Sequence, residues 1–114
     1  MSGIRRFEAY GVALEMIRGL AAVLPRIKSR DGDLAKQGRR AASSVALNLS
    51  EGNRRKGKDR AYHFSVAAGS ADEVLAVLEV SEAWGYLSPQ ATGALKDLLD
   101  RVLAMTWKLS HHSG

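Results

Sequence analysis

Apolar residues recur at steps of three and four through four successive stretches of this chain, and nothing in it alternates with period two for long enough to argue a strand. Steps of three and four place side chains on one face of a helix, so the fold has to be made of helix faces packed against each other. From Phe7 to Leu24 the stripe passes through Phe7, Tyr10, Leu14, Ile17, Ala21 and Leu24. Pro25 then predicts a helix end nearby, since a proline pushes the residue before it out of the α region. The polar stretch RIKSRDGD reads as a connection, with Asp33 as the N-cap of the next helix.

The second helix is expected from Leu34 to about Glu51, its stripe running through Leu34, Gly38, Ala41, Val45, Asn48 and Gly52. Small residues dominate this face, so a neighbouring helix can approach closely. Gly52 offers a left-handed helix end, and NRRKGK a short basic loop. Asp59 is a candidate cap for a third helix whose stripe passes Phe64, Ala68, Ala71, Leu75, Leu78 and Glu82 and ends at Gly85. Ser88 followed by Pro89 is a start signal for a fourth, carrying Leu95, Leu98, Leu99, Val102, Leu103 and Leu109. With short connections these make an antiparallel up-down-up-down four-helix bundle, one all-α domain over residues 1–114 with helices near 4–24, 34–51, 59–84 and 89–110. The terminal SHHSG reads as frayed, and the two tryptophans, Trp84 and Trp107, as rings closing the core near its ends.

A chain of 114 residues is long enough to bury one core. It has no cysteine, which removes disulfides and thiolate chemistry and suits a reducing compartment. The amino terminus lacks the continuous apolar core of a signal peptide and no run approaches a membrane span, so a cytoplasmic location is expected.

Catalytic machinery is not visible. There is no G-x-S-x-G elbow, no phosphate loop and no HExxH, and the three histidines, His63, His111 and His112, lack the spacing of a metal site. We therefore read the chain as non-enzymatic, with no cofactor and no metal. Asn48 continues a packing stripe, and a buried amide needs partners. The third helix supplies candidates, so Asn48, Glu51, Ser70 and Glu73 form an expected polar cluster fixing the register of the two helices, with Gly69 and Ser70 at the close crossing.

Charge is uneven. Residues 26–60 hold 11 Lys and Arg against four acidic residues, a local net of +7, while residues 61–114 hold three against six, a net of −3. The basic set Lys36, Arg39, Arg40, Arg54, Arg55, Lys56, Lys58 and Arg60 is expected to gather positive potential around one bundle end. Its natural use is phosphate binding, RNA or DNA, with little sequence preference because aromatic stacking partners nearby are few. The bland reading is a solvated surface, and a scaffold or adaptor that binds a protein partner without nucleic acid is the alternative.

Gln37, Arg39-Arg40-Ala41, Ser44-Val45 and Asn48-Leu49-Ser50-Glu51-Gly52 resemble the signature of the 23S ribosomal RNA intervening-sequence proteins. Ala67, Gly69-Ser70 and Glu73 match that family's A-x-G-S-x-x-E, and Gly85-Tyr86-Leu87 extends the similarity over nearly the whole chain. Ser50 stands where the family usually has Ala, Gly38 where an apolar residue is common, and His63-Phe64 where aromatic-Leu is typical. The resemblance implies a four-helix bundle assembling as a homopentameric ring, related to the accessory proteins that work beside reverse transcriptases in diversity-generating retroelements. It also implies a nucleic-acid-binding basic surface, with Arg39, Arg40, Arg54 and Arg55 as contacts, and a reverse transcriptase or other protein as partner.

Overall fold

The computed structural model describes residues 2–111, with side chains from residue 8 onward, so the stripe position Phe7 and the residues His112, Ser113 and Gly114 lie outside the described residues. Four helices succeed each other: α1 (Ser2–Arg30), α2 (Gly32–Arg54), α3 (Gly57–Ala83) and α4 (Pro89–His111), with no strand among the described residues. Contacts run α1 to α2, α2 to α3, α3 to α4 and α4 back to α1, the closed circuit of a four-helix bundle. The molecule is long and narrow, 44 × 23 × 18 Å. None of the described helices is long and apolar enough to cross a membrane.

Helix boundaries depart from expectation where local signals met a stronger packing demand. α1 does not stop at Pro25 but continues to Arg30. Ile27, one turn further on, is fully buried, and Ala21 and Pro25 both lie on the exposed side. The carbonyl that proline leaves without a donor therefore faces water, and the burial of Ile27 favours continuing the helix. Only Asp31 separates α1 from α2. It is Asp31 and not Asp33 that caps α2, its side chain accepting from the Leu34 N–H at 3.0 Å. α3 has Lys56 at its N-cap position with no side-chain cap, and Asp59 falls in its first turn, where a negative charge suits the helix dipole. Gly57 turns the chain between α2 and α3 at φ 61°, and Gly85 closes α3 at φ 81°. There the Tyr86 N–H donates to Ser81 O at 2.8 Å and the Gly85 N–H to Glu82 O at 2.9 Å, the paired bonds of a Schellman end. Ser88 caps α4 as its sequence signals, accepting from the Ala91 N–H at 3.2 Å.

The buried ridge of α1 is Ala9, Val12, Ala13, Met16, Leu20, Val23 and Ile27. Tyr10, Leu14, Ile17 and Leu24 flank it half-buried and Ala21 is exposed, so the expected stripe was displaced to the edge of the true one. In α2 the ridge is Ala35, Gly38, Ala41, Ala42, Val45, Ala46, Leu49 and Gly52. It meets Phe64, Ala67, Ala71, Val74, Val77 and Leu78 of α3 across the most extensive interface of the bundle. The residue pairs Gly38–Val77, Ser44–Ser70 and Gly52–Phe64 run in opposite senses along the two helices, so α2 and α3 are antiparallel.

Small residues permit close approach here, though not where the glycines of α3 suggested. Gly69 is exposed with open space beside it, whereas a Cβ on Gly52 would lie 2.6 Å from the Phe64 ring. Gly52 is thus not a left-handed helix end; it is the site on which that ring is seated. The tryptophans also differ from expectation, with Trp84 69% and Trp107 60% exposed. Trp84 stacks with Tyr86 at 6.4 Å and Trp107 with His111 at 4.3 Å between ring centroids.

Candidate nucleic-acid interface

At about 100° per residue the ridge that α2 buries lies opposite a line through Lys36, Arg40, Ser43, Leu47, Ser50 and Arg54, every one of them exposed. Lys36, Arg39 and Arg40 stand beside Ser43, Ser44, Leu47 and Asn48 around an open groove of about 500 Å³. No acidic side chain lines it. Leu47, 68% exposed, is a large apolar group presented to solvent at the middle of the helix.

The second cationic group lies at the far end of α2 and in the turn after it. Arg54 and Arg55 both bind Glu51, Arg54 Nη2 to Oε1 at 2.8 Å and Arg55 Nε to Oε2 at 2.9 Å, and Arg55 Nη1 reaches Asp59 Oδ2 at 3.8 Å. The hydrogen bonds from Arg55 and then Arg54 hold the Glu51 carboxyl below its ordinary value. Lys56 and Lys58 are exposed beside them, and the half-buried Arg60 lies over the Phe64 ring, its guanidinium carbon 5.9 Å from the centroid.

The eight candidate cations therefore do not collect at one bundle end. Lys36 and Arg54 are eighteen positions apart on the same line of α2, about 27 Å at the rise of a helix. One group, Lys36, Arg39 and Arg40, makes no ion pair among the described residues, while the other is partly neutralised by Glu51 and Asp59. The distinction is electrostatic, since an arginine already bound to a carboxylate has less to offer a phosphate.

Asn48 is in a polar cluster, and of its three expected partners Ser70 belongs to it while Glu51 and Glu73 do not. Its Nδ2 donates to Ser44 O at 2.9 Å and to Ser44 Oγ at 3.1 Å. That orientation turns Oδ1 toward His63, whose Nδ1 lies 2.9 Å away and must carry the proton, because the amide oxygen can only accept. Ser70 Oγ completes the set by donating to Ser44 Oγ at 2.7 Å. Ser44, Asn48, His63 and Ser70 thus tie α2 to α3, with Ser44 as the shared centre. Glu51 is drawn away by the arginines, and Glu73 is exposed and takes no part. The signal for Ser44 was available in its position one turn before Asn48; His63 could be found only by pairing two helices in the correct register.

His63 Nδ1 faces an amide oxygen and no hydroxyl, so it forms no serine–histidine pair, and among the described residues no group of three His, Cys, Asp or Glu is placed to hold a metal ion. What the surface offers is cations on one face of a helix, with hydroxyl and amide groups at its edge. The model of the 23S rRNA-intervening sequence protein family matches residues 7–108. No curated protein matches the chain.

Proposed function

We propose that this chain, which belongs to the 23S rRNA-intervening sequence protein family, is a non-enzymatic nucleic-acid-binding protein that works as an oligomer. It contacts phosphates of RNA or DNA through the outward face of α2 and has little preference for sequence. The observation that carries this reading is the groove bounded by Lys36, Arg39 and Arg40, three cations without acidic neighbours in its lining. Side chains of this kind neutralise phosphates and release counterions, which supplies affinity without reading bases. Exposed Trp84 and Trp107 support self-association, since large rings in water are common anchors of interfaces.

Binding to labelled structured RNA and duplex DNA across a salt series tests the reading, with the mass in solution measured in the same buffers. Affinity falls steeply with salt. Replacing Lys36, Arg39 and Arg40 by Gln lowers the slope of log affinity against log salt by about 2 to 3, the release expected for three phosphate contacts. Replacing Arg54 and Arg55 changes it less, because those two are held by Glu51. Affinity that does not change in the first variant overturns the proposal.

A further inference from the structure

The two cationic groups on α2 are separated by a stretch that carries almost no charge. Between Ala41 and Asn53 the only charged residue is Glu51, and it is occupied by Arg54 and Arg55. Leu47 stands at the centre of that stretch, 68% exposed, and α2 contains no aromatic residue from Gly32 to Arg54. We infer that the ligand of this face is a double-stranded nucleic acid, held at two places along its axis by Lys36, Arg39 and Arg40 at one end of α2 and by Arg54, Arg55, Lys56 and Lys58 at the other. The inference rests on the nucleic-acid reading above and narrows it.

A single strand is bound by a continuous cationic track with aromatic side chains on which bases stack. This face has neither. A single strand would also have to be ordered across the gap between the groups, at an entropic cost that no contact in the middle offsets. A duplex is already stiff and holds its phosphates at fixed, long separations. A helix of this length can touch a convex cylinder at both ends only when it lies nearly along the axis. The span of about 27 Å from Lys36 to Arg54 then corresponds to about 8 base pairs at about 3.4 Å each. The uncharged middle, with Leu47, falls over a groove, where no phosphate has to be matched. RNA and DNA duplexes share this chemistry, and parallel arms with each separate them.

The test uses the full chain and hairpin-closed duplexes of about 5, 8 and 16 base pairs, in RNA and in DNA, with an unstructured single strand matched in nucleotides to the longest and polyglutamate as a polyanion control. The longest duplex binds at least about tenfold more tightly than the shortest, because the shortest cannot reach both groups. The variant Lys36→Gln/Arg39→Gln/Arg40→Gln, with its helical signal and melting unchanged, loses that advantage and binds long and short duplexes alike. A single strand that binds as tightly as the long duplex overturns the duplex inference and leaves the nucleic-acid reading standing. Polyglutamate that binds as tightly as the duplex, or a folded chain that binds no nucleic acid, overturns both.

Discussion

Gly52 of α2 and Phe64 of α3 are in such close approach that a methyl group on the glycine would lie 2.6 Å from Phe64 Cε1 and 2.9 Å from Cδ1. Phe64 is fully buried and the largest side chain of the core, so the ring has nowhere to retreat. The Gly in the resembled Asn-x-x-Glu-Gly run thus has a packing cause in this chain: it leaves room for the ring against α2.

Gly52→Ala is expected to destabilise the protein by about 1–2 kcal/mol, an overpacking cost of about 1–3 kcal/mol reduced by alanine's better helix propensity. Gly69→Ala is the opposite case. Gly69 is helical, exposed and has open space beside it, so alanine there adds about 0.5–1 kcal/mol. Urea unfolding of both variants measures the contrast, and equal effects would remove the close-approach explanation.

Asn48→Ala leaves His63 Nδ1–H and the Ser44 hydroxyl short of a partner in a half-buried site. The expected loss is about 1–2 kcal/mol. Coupling is the sharper readout: a double-mutant cycle between Asn48→Ala and Ser70→Ala gives a nonzero interaction energy transmitted by Ser44, whereas Asn48→Ala with Glu73→Ala is additive.

Capping separates two aspartates only two residues apart. Asp31→Ala removes the acceptor for the Leu34 N–H and costs about 1 kcal/mol. Asp33→Ala removes only a first-turn charge and costs about 0.3–1 kcal/mol, a loss that salt diminishes. Thermal unfolding at low and high salt distinguishes the two.

Glu82 ties the end of α3 to the start of α4. It binds Lys96 Nζ at 2.6 Å and accepts from Thr92 Oγ1 at 3.0 Å, and the Lys96 bond is the main cause that holds its carboxyl below the ordinary value. A carboxyl held low in the folded state stabilises the fold at pH above its unfolded value, about 4.3, and that contribution is lost as pH falls through the folded value. Stability therefore declines below about pH 4.3, and Glu82→Gln, less stable at neutral pH, shows a shallower acid decline. Identical pH profiles for the two proteins would contradict the assignment.

Much of this architecture was legible from periodicity. Four helices and the Ser88–Pro89 start are signalled locally within each segment. Boundaries were less legible because they are set by what the chain buries beyond them: Ile27 carries α1 past Pro25, and the Phe64 ring keeps Gly52 within α2. The α1 stripe was displaced because Ala9, Val12 and Ala13 are small and yield in a simple reading to the larger Tyr10 and Leu14. At the candidate site, the cations were visible as charges, but their division into a free group and a group held by Glu51 depends on side-chain geometry. The place of His63 depends on interhelical register, which no single segment encodes.

Exposure of both tryptophans also governs how this molecule can be watched. With Trp84 and Trp107 facing water, indole emission of the folded chain is expected to resemble that of an open chain, so that helical dichroism is the better measure of unfolding. The same property makes the two rings sentinels of encounter. They sit near the carboxyl ends of α3 and α4, so a blue shift on raising protein concentration reports copies of the chain meeting.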